Sequence, residues 1–309
     1  MITPAKDIYA SRSDRGAAII ARQDPVVYGG GNYADGASME QINDFERDGF
    51  LFLDSFFSEQ ETASLMQEVQ RLSQDPAIRQ REEAIREPGS NAVRSIFRVH
   101  KISTMLGRLA ADARLLNIAR QILGSEAYIH QSRANLKPGF QGKEFYWHSD
   151  FETWHVEDGM PAMRAISCSV LLTDNHPENG PLMVVPGSHK QFISCIGETP
   201  DDHYQQSLRK QEYGVPDPIS LQLLVEQGGI RSITGKAGSV VFFDCNTMHG
   251  SNGNITPWPR ANVFMVYNSV ENALGSPKFG LKPRPGFIAE REDFTALKPL
   301  APTQLSQRK

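Results

Sequence analysis

The chain has 309 residues, 39% hydrophobic and 22% charged, with a net charge of −4, a composition that fits an ordinary folded protein and excludes a disordered one. It shows no basic run to suit nucleic acid or an anionic membrane, no apolar stretch of membrane-spanning length, and no apolar signal region in Met1 to Asp7. Its three cysteines, Cys168, Cys195 and Cys245, are odd in number and widely spaced, which fits reduced thiols in the cytoplasm better than a disulfide framework.

Residues 1 to about 37 are polar and Gly-rich around Gly29-Gly30-Gly31, and read as an irregular arm. Ser38 with Gln41 three residues on is a capping box that opens a helix, expected to stop at Gly49 before a short strand, Phe50-Leu51-Phe52-Leu53. Ser58 with Glu61 repeats the signal, and the following helix carries Leu65, Val69 and Leu72 on one face. Residues 74–92 are charged, end in Glu87-Pro88-Gly89-Ser90, and read as a loop. One further helix is expected over 105–123, stopped by Gly124. Beyond it the pattern changes to strands over 128–135, 144–151, 165–173, 181–186, 239–245 and 262–270, mostly separated by Gly, Pro or Asn turns.

Helices followed by many short strands predict a mainly β fold with supporting helices, built on a double-stranded β-helix (jelly-roll, cupin-like) core. The organisation expected is one domain, 1–309. It divides into a mostly helical support (1–125), a jelly-roll core (126–275) with an insertion at 191–232, and a C-terminal extension (276–309). The polar insertion reads equally as a lid over a site or as a solvated excursion.

The chemistry concentrates at His148 and Asp150. On a strand, residues i and i+2 project from one face, so the two side chains would point together. His249 follows the apolar run Val240-Val241-Phe242-Phe243 far downstream. Two imidazoles and one carboxylate with open positions beside them are the ligand set of non-haem Fe(II) oxygenases. Arg260, one strand beyond His249, is placed to bind a dicarboxylate co-substrate in a bidentate fashion. Gln131, Arg133 and Asn135 share one face of an earlier strand by the same alternation. His155 and His189 read as structural hydrogen-bonding partners. His100, His130, His176 and His203 read as surface or satisfied core residues, and Asp244 and Glu152 as groups that could orient ligands.

The block Phe145-Tyr146-Trp147-His148-Ser149-Asp150-Phe151-Glu152-Thr153-Trp154-His155-Val156-Glu157-Asp158-Gly159-Met160-Pro161 resembles the characteristic segment of ectoine hydroxylases. These form part of the phytanoyl-CoA-hydroxylase-like branch of Fe(II)- and 2-oxoglutarate-dependent dioxygenases. The likeness extends to Asp24-Pro25-Val26-Val27-Tyr28, Gln131 to Asn135, Asn179 to His189, His249 to Asn252 and Tyr267 to Val270, nearly the whole chain. It implies Fe(II) on His148, Asp150 and His249, with 2-oxoglutarate and O2 as co-substrates. Arg260 and Ser251 would hold the distal carboxylate of 2-oxoglutarate, Phe145 would wall its pocket, and Arg133 and Asn135 would lie beside it. For the substrate it implies Arg284 on the carboxylate, Trp154 on the cationic ring, and Gln131, Thr153 and Phe264 around the ring.

The activity so implied is hydroxylation of ectoine to 5-hydroxyectoine, with succinate and CO2, by a cytoplasmic homodimer with no nucleic-acid or membrane partner. Radical halogenases of the superfamily lack the carboxylate ligand, so Asp150 favours hydroxylation. Two alternatives stay open on the residues: the same chemistry on another small amino-acid-like or carrier-bound substrate, and a jelly-roll binding protein without catalysis.

Overall fold

The computed structural model describes residues 7–12, 16–87, 91–200, 202–207 and 213–302. Expectations placed on 1–6 and on 88–90 lie outside the described residues.

Both capping boxes form. The Ser38 and Ser58 side chains accept from the backbone N–H groups of Gln41 and Glu61, whose own side chains accept in return, and so start helices Met39–Asp48 and Glu59–Gln74. Gly49, at φ 80°, ends the first in the left-handed conformation. In the second, Leu65, Val69 and Leu72 are buried on one face as expected, each contributing roughly 1.5–3 kcal/mol. The helix expected over 105–123 is two helices, Thr104–Ala110 and Ala113–Leu123, because the Asp112 side chain accepts from Arg114 N and opens a new one. The stretch 74–92 is not a loop throughout. Asp75 caps a short helix, Pro76–Arg79, and Ala84–Arg86 is a strand. The N-terminal arm also carries a strand, Ala18–Ala21, paired with Gln191–Ser194 of the insertion.

Two larger antiparallel sheets make the jelly roll. The major sheet runs in the order Phe50–Leu53, Val240–Asp244, Ala165–Leu171, Arg260–Ser269, Ala127–Lys137, Val93–Phe97, Ala84–Arg86. The minor sheet runs Arg231–Ser232, Leu182–Val184, His249–Ser251, Phe145–His148. One face of the major sheet, through Ala134, Ile166, Cys168, Val263 and Met265, packs on the helices through Leu65, Val69, Leu115 and Leu116. The opposite face is left for a cavity between the sheets.

A bulge decides which residues reach that cavity. Val266 pairs with Gln131 and Tyr267 with Ile129, so His130 is the extra residue. Before it, Ala127 and Ile129 join the helix-facing core; after it, Gln131, Arg133 and Asn135 turn to the cavity. Bulges bend a strand and re-aim its side chains in this way. Among the described residues no helix is long and apolar enough to cross a membrane, and all three cysteines are buried and unbridged.

Candidate metal centre and its cavity

The strand Phe145–His148 ends on His148, Ser149 caps the next helix, and Asp150 is the first residue of that helix, Asp150–Asp158. His148 and Asp150 therefore meet across a strand-to-helix corner and not by alternation along one strand, the geometry expected from their spacing. The cause is local: Ser149 keeps an extended conformation and its hydroxyl accepts from Glu152 N at 3.4 Å. His249 lies on its own short strand, His249–Ser251, directly opposite His148 in register.

The two imidazole rings are 4.2 Å apart between centroids. Their Nε2 atoms stand 3.7 and 3.9 Å from Asp150 Oδ1, and one donor atom from each residue falls within 4.8 Å of the others. The Nδ1 atoms are spent on backbone carbonyls, Tyr146 O at 2.8 Å and Thr247 O at 2.9 Å. Such a bond fixes the tautomer and leaves Nε2 to ligate. The Ser167 hydroxyl donates to Asp150 Oδ2 at 3.2 Å. Burial acts to raise the Asp150 carboxyl, but His249, His148 and Arg133 outweigh it and hold it well below the usual range. Burial, then His148, pushes the His249 imidazole down to about 4, so it is neutral at neutral pH. Two neutral nitrogens and one carboxylate oxygen at the side of an open cavity fit Fe(II).

That cavity holds about 1160 Å³ of free space including its mouth, and every residue assigned from the sequence to metal, co-substrate or substrate lines it. On one side stand Arg260, Ser251, Asn135 and Phe145. Arg260 is buried, its Nε has no hydrogen-bond partner, and no described carboxylate pairs with it. Burial, then Arg94, lowers its guanidinium to about 10. A buried cation left without a counter-charge is costly, so the site calls for an anion. Asn135 Oδ1 accepts from the Ser95 hydroxyl at 2.8 Å, and the Phe145 ring meets that of His148 edge-on at 5.0 Å.

On the other side stand Gln131, Thr153, Trp154, Phe264 and Arg284, with Arg133 between Gln131 and Asn135 on the strand that joins the two sides. Arg133 lies over the Phe264 ring at 4.8 Å and donates to Gln131 Oε1, while Gln131 Nε2 donates to Ile288 O at 2.7 Å. Thr153 Oγ1 accepts from Arg12 Nη2 at 3.1 Å, and the Trp154 ring meets that of His130 edge-on at 4.9 Å. Arg284 contrasts with Arg260. Its Nε donates to Asp158 Oδ1 at 2.8 Å and its Nη2 to Asp158 Oδ2, so its charge is already met.

Residues 45–262 match the family of phytanoyl-CoA dioxygenase (PhyH). The chain belongs to the phytanoyl-CoA dioxygenase family. Within and around that family, the chain is 72% identical over 308 residues to an ectoine dioxygenase of Bordetella bronchiseptica, covering 100% of both chains. It is similar to a crystal structure of EctD from S. alaskensis with 2-oxoglutarate and 5-hydroxyectoine, at 51% identity and TM-score 0.86 over 96% of this chain and 99% of that one. The same S. alaskensis protein with bound Fe matches at 49% identity and TM-score 0.85, over 96% and 99%.

Sequence reasoning missed several cavity residues of this family member, Lys137, Arg94 and Glu157 among them. Lys137 simply extends the 131, 133, 135 alternation and lies opposite Arg260 in register. Its Nζ donates to Ser251 Oγ at 3.0 Å, and burial, then Arg260 and Arg94, pushes its amine down to about 6. Arg94 comes from the neighbouring strand and had no signal. Asp244 and Glu152 hold no triad residue; they pair with Arg22 and Arg12, each at 2.8 Å. His155 is structural as expected, bonded to Met160 O at 2.7 Å. His130 departs from expectation, being buried with neither ring nitrogen hydrogen-bonded.

Proposed function

We propose that the chain is an ectoine 5-hydroxylase, converting ectoine, 2-oxoglutarate and O2 to 5-hydroxyectoine, succinate and CO2. The observation that carries this reading is the placement of one cavity: the triad sits between an unpaired Arg260 on one side and the Trp154–Arg284 wall on the other. The ectoine dioxygenases that match the chain from end to end supply the substrate.

Bound Fe(II), with 2-oxoglutarate and O2, supplies an oxidant able to hydroxylate an unactivated C–H bond. His148, Asp150 and His249 would hold the ion through Nε2, a carboxylate oxygen and Nε2. Arg260 takes the distal carboxylate of 2-oxoglutarate through paired N–H donors, with Ser251 and Lys137 beside it. Phe145, Arg133 and Asn135 wall the co-substrate. Arg284 meets the substrate carboxylate with the N–H groups that Asp158 leaves free, and Trp154 faces the amidinium. Gln131, Thr153 and Phe264 close around the ring and exclude water. The chain works as one domain over 1–309 in the cytoplasm, as a homodimer, with Thr199, Pro200 and His203 of the insertion beside Glu157 and Arg284 on the substrate side.

The test is product identification by mass spectrometry with Fe(II), 2-oxoglutarate, O2 and ectoine. His148→Ala and His249→Ala are each expected to abolish ectoine-dependent succinate; activity retained in both removes the metal assignment, and no ectoine-stimulated turnover in the unaltered chain removes the substrate.

A further inference from the structure

The cavity is charged unevenly. On the Arg260 side, Lys137 and Arg260 face each other, and neither forms an ion pair with a described carboxylate. Arg94 is 3.3 Å from Glu87. Arg260 leaves that side with excess positive charge, Lys137 being pushed down to about 6 by burial, and the side suits an anion. The Arg284 side is different. Beyond its bonds to Asp158, Arg284 Nη1 lies 3.5 Å from Glu157 Oε2. Glu157 Oε1 accepts from Arg12 Nη1, Arg12 Nη2 is 2.8 Å from Glu152, and Arg291 Nη2 is 3.7 Å from Asp158 Oδ1.

Three guanidinium groups thus meet three carboxylates in one connected cluster. Five of the six side chains are at most 8% exposed, and Arg291 is 19% exposed. His130, 3.8 Å from Asp158, is pushed down to about 4 by burial and adds no charge at neutral pH. Asp202 and Lys282, which border the adjoining cleft, are exposed and opposite in sign. Among the described residues the cluster is balanced.

Only two of its members, Glu157 and Arg284, line the cavity. Glu157 gets there by helix geometry. Asp150, Thr153, Trp154 and Glu157 stand at i, i+3, i+4 and i+7 of one helix, and all four line the cavity. The wall that receives the substrate therefore shows Glu157 beside Arg284, while Arg133, which also lines the cavity, acts on the Asp150 carboxylate of the triad.

We propose that Glu157 is a specificity-determining residue. With Arg284 it presents a balanced pair that admits net-neutral zwitterions, a carboxylate joined to a delocalised cation, and rejects monoanions and monocations. A zwitterion meets both groups with opposite charges: its carboxylate turns to Arg284, its cation to Glu157 and the Trp154 face. A ligand of either net charge leaves one buried charge without compensation. The inference rests on the reading of the chain as an ectoine hydroxylase and adds the charge class its substrate wall selects.

The test compares three compounds under Fe(II), 2-oxoglutarate and O2: ectoine, its lactam counterpart that keeps the carboxylate but not the amidine (a monoanion), and the cyclic amidine without the carboxylate (a monocation). The unaltered chain is expected to favour ectoine over both by about tenfold or more in kcat/KM. In Glu157→Gln the ectoine-to-lactam ratio should fall by about tenfold, through KM for ectoine, while KM for 2-oxoglutarate stays within about twofold. An unchanged ratio, or KM for ectoine and 2-oxoglutarate rising together as a purely structural role would give, overturns the proposal. Titration calorimetry of the three compounds on the unaltered chain keeps the test open should Glu157→Gln fail to fold; a monoanion bound as tightly as ectoine also overturns it. If the unaltered chain neither binds nor turns over ectoine, the hydroxylase reading itself falls; if it does both without charge preference, only the role of Glu157 falls.

Discussion

Arg260 and His130 are both buried and unsatisfied, with opposite meanings. Arg260 faces a cavity and has room for a ligand to complete it. Arg260→Leu should raise KM for 2-oxoglutarate by roughly 100-fold, the loss of two charge-assisted hydrogen bonds, with a much smaller change in KM for ectoine; steady-state kinetics with each substrate varied would show it, and equal changes in both constants would contradict the assignment. His130 does not line that cavity. Burial holds its imidazole at about 4, opposed by Asp158, whereas an unfolded histidine titrates near 6.5. Between about 6.5 and 4 the unfolded chain therefore binds a proton that the folded chain does not. The stability contributed is fully present above 6.5 and is lost as pH falls through that window, by roughly 3 kcal/mol in all. His100, also at about 4, acts in the same direction. Calorimetric melting from pH 7 to 4 should show a shallower fall for His130→Phe than for the unaltered chain.

At the scale of elements, the helix Asp150–Asp158 holds the site together. It carries the acidic ligand at its first residue and Thr153, Trp154 and Glu157 along one stripe. Eight of its nine residues are buried, so it has no polar face and no amphipathic pattern. That is why its first two residues, Asp150 and Phe151, read as the end of a strand over 144–151, although Ser149 and Glu152 stand at capping spacing. Its end is fixed by Gly159, at φ 71°, where an added Cβ would lie 2.3 Å from Ser276 O. Gly159→Ala is expected to destabilise by more than about 1 kcal/mol, from the left-handed conformation and the clash together, and to lower activity through displaced helix contacts. Thermal melting with and without activity measurement checks this; an unchanged melting temperature would refute it.

Across the whole molecule, distant segments close the site. Arg12 of the N-terminal arm reaches Glu152 and Glu157 on the helix and Thr199 of the insertion. Arg12→Met leaves two carboxylates buried with less compensation and should cost about 3–5 kcal/mol, read as a large fall in melting temperature with the triad intact. The helices capped at Ser38 and Ser58, the strand texture beyond residue 124, and the residues His148, Asp150, His249 and Arg260 were legible in the chain, because caps, alternation and ligand chemistry are local properties of sequence; Arg284 came only with the resemblance to ectoine hydroxylases. What only the tertiary structure decided is how they meet. The bulge at His130 turns Gln131, Arg133 and Asn135 inward and adds Lys137; the corner at Ser149 aims Asp150; the pairing of His249 against His148 closes the triad. Charge balance around Arg284 was hidden for the same reason, since its partners Glu157 and Asp158 lie far from it along the chain and only folding sets them beside it.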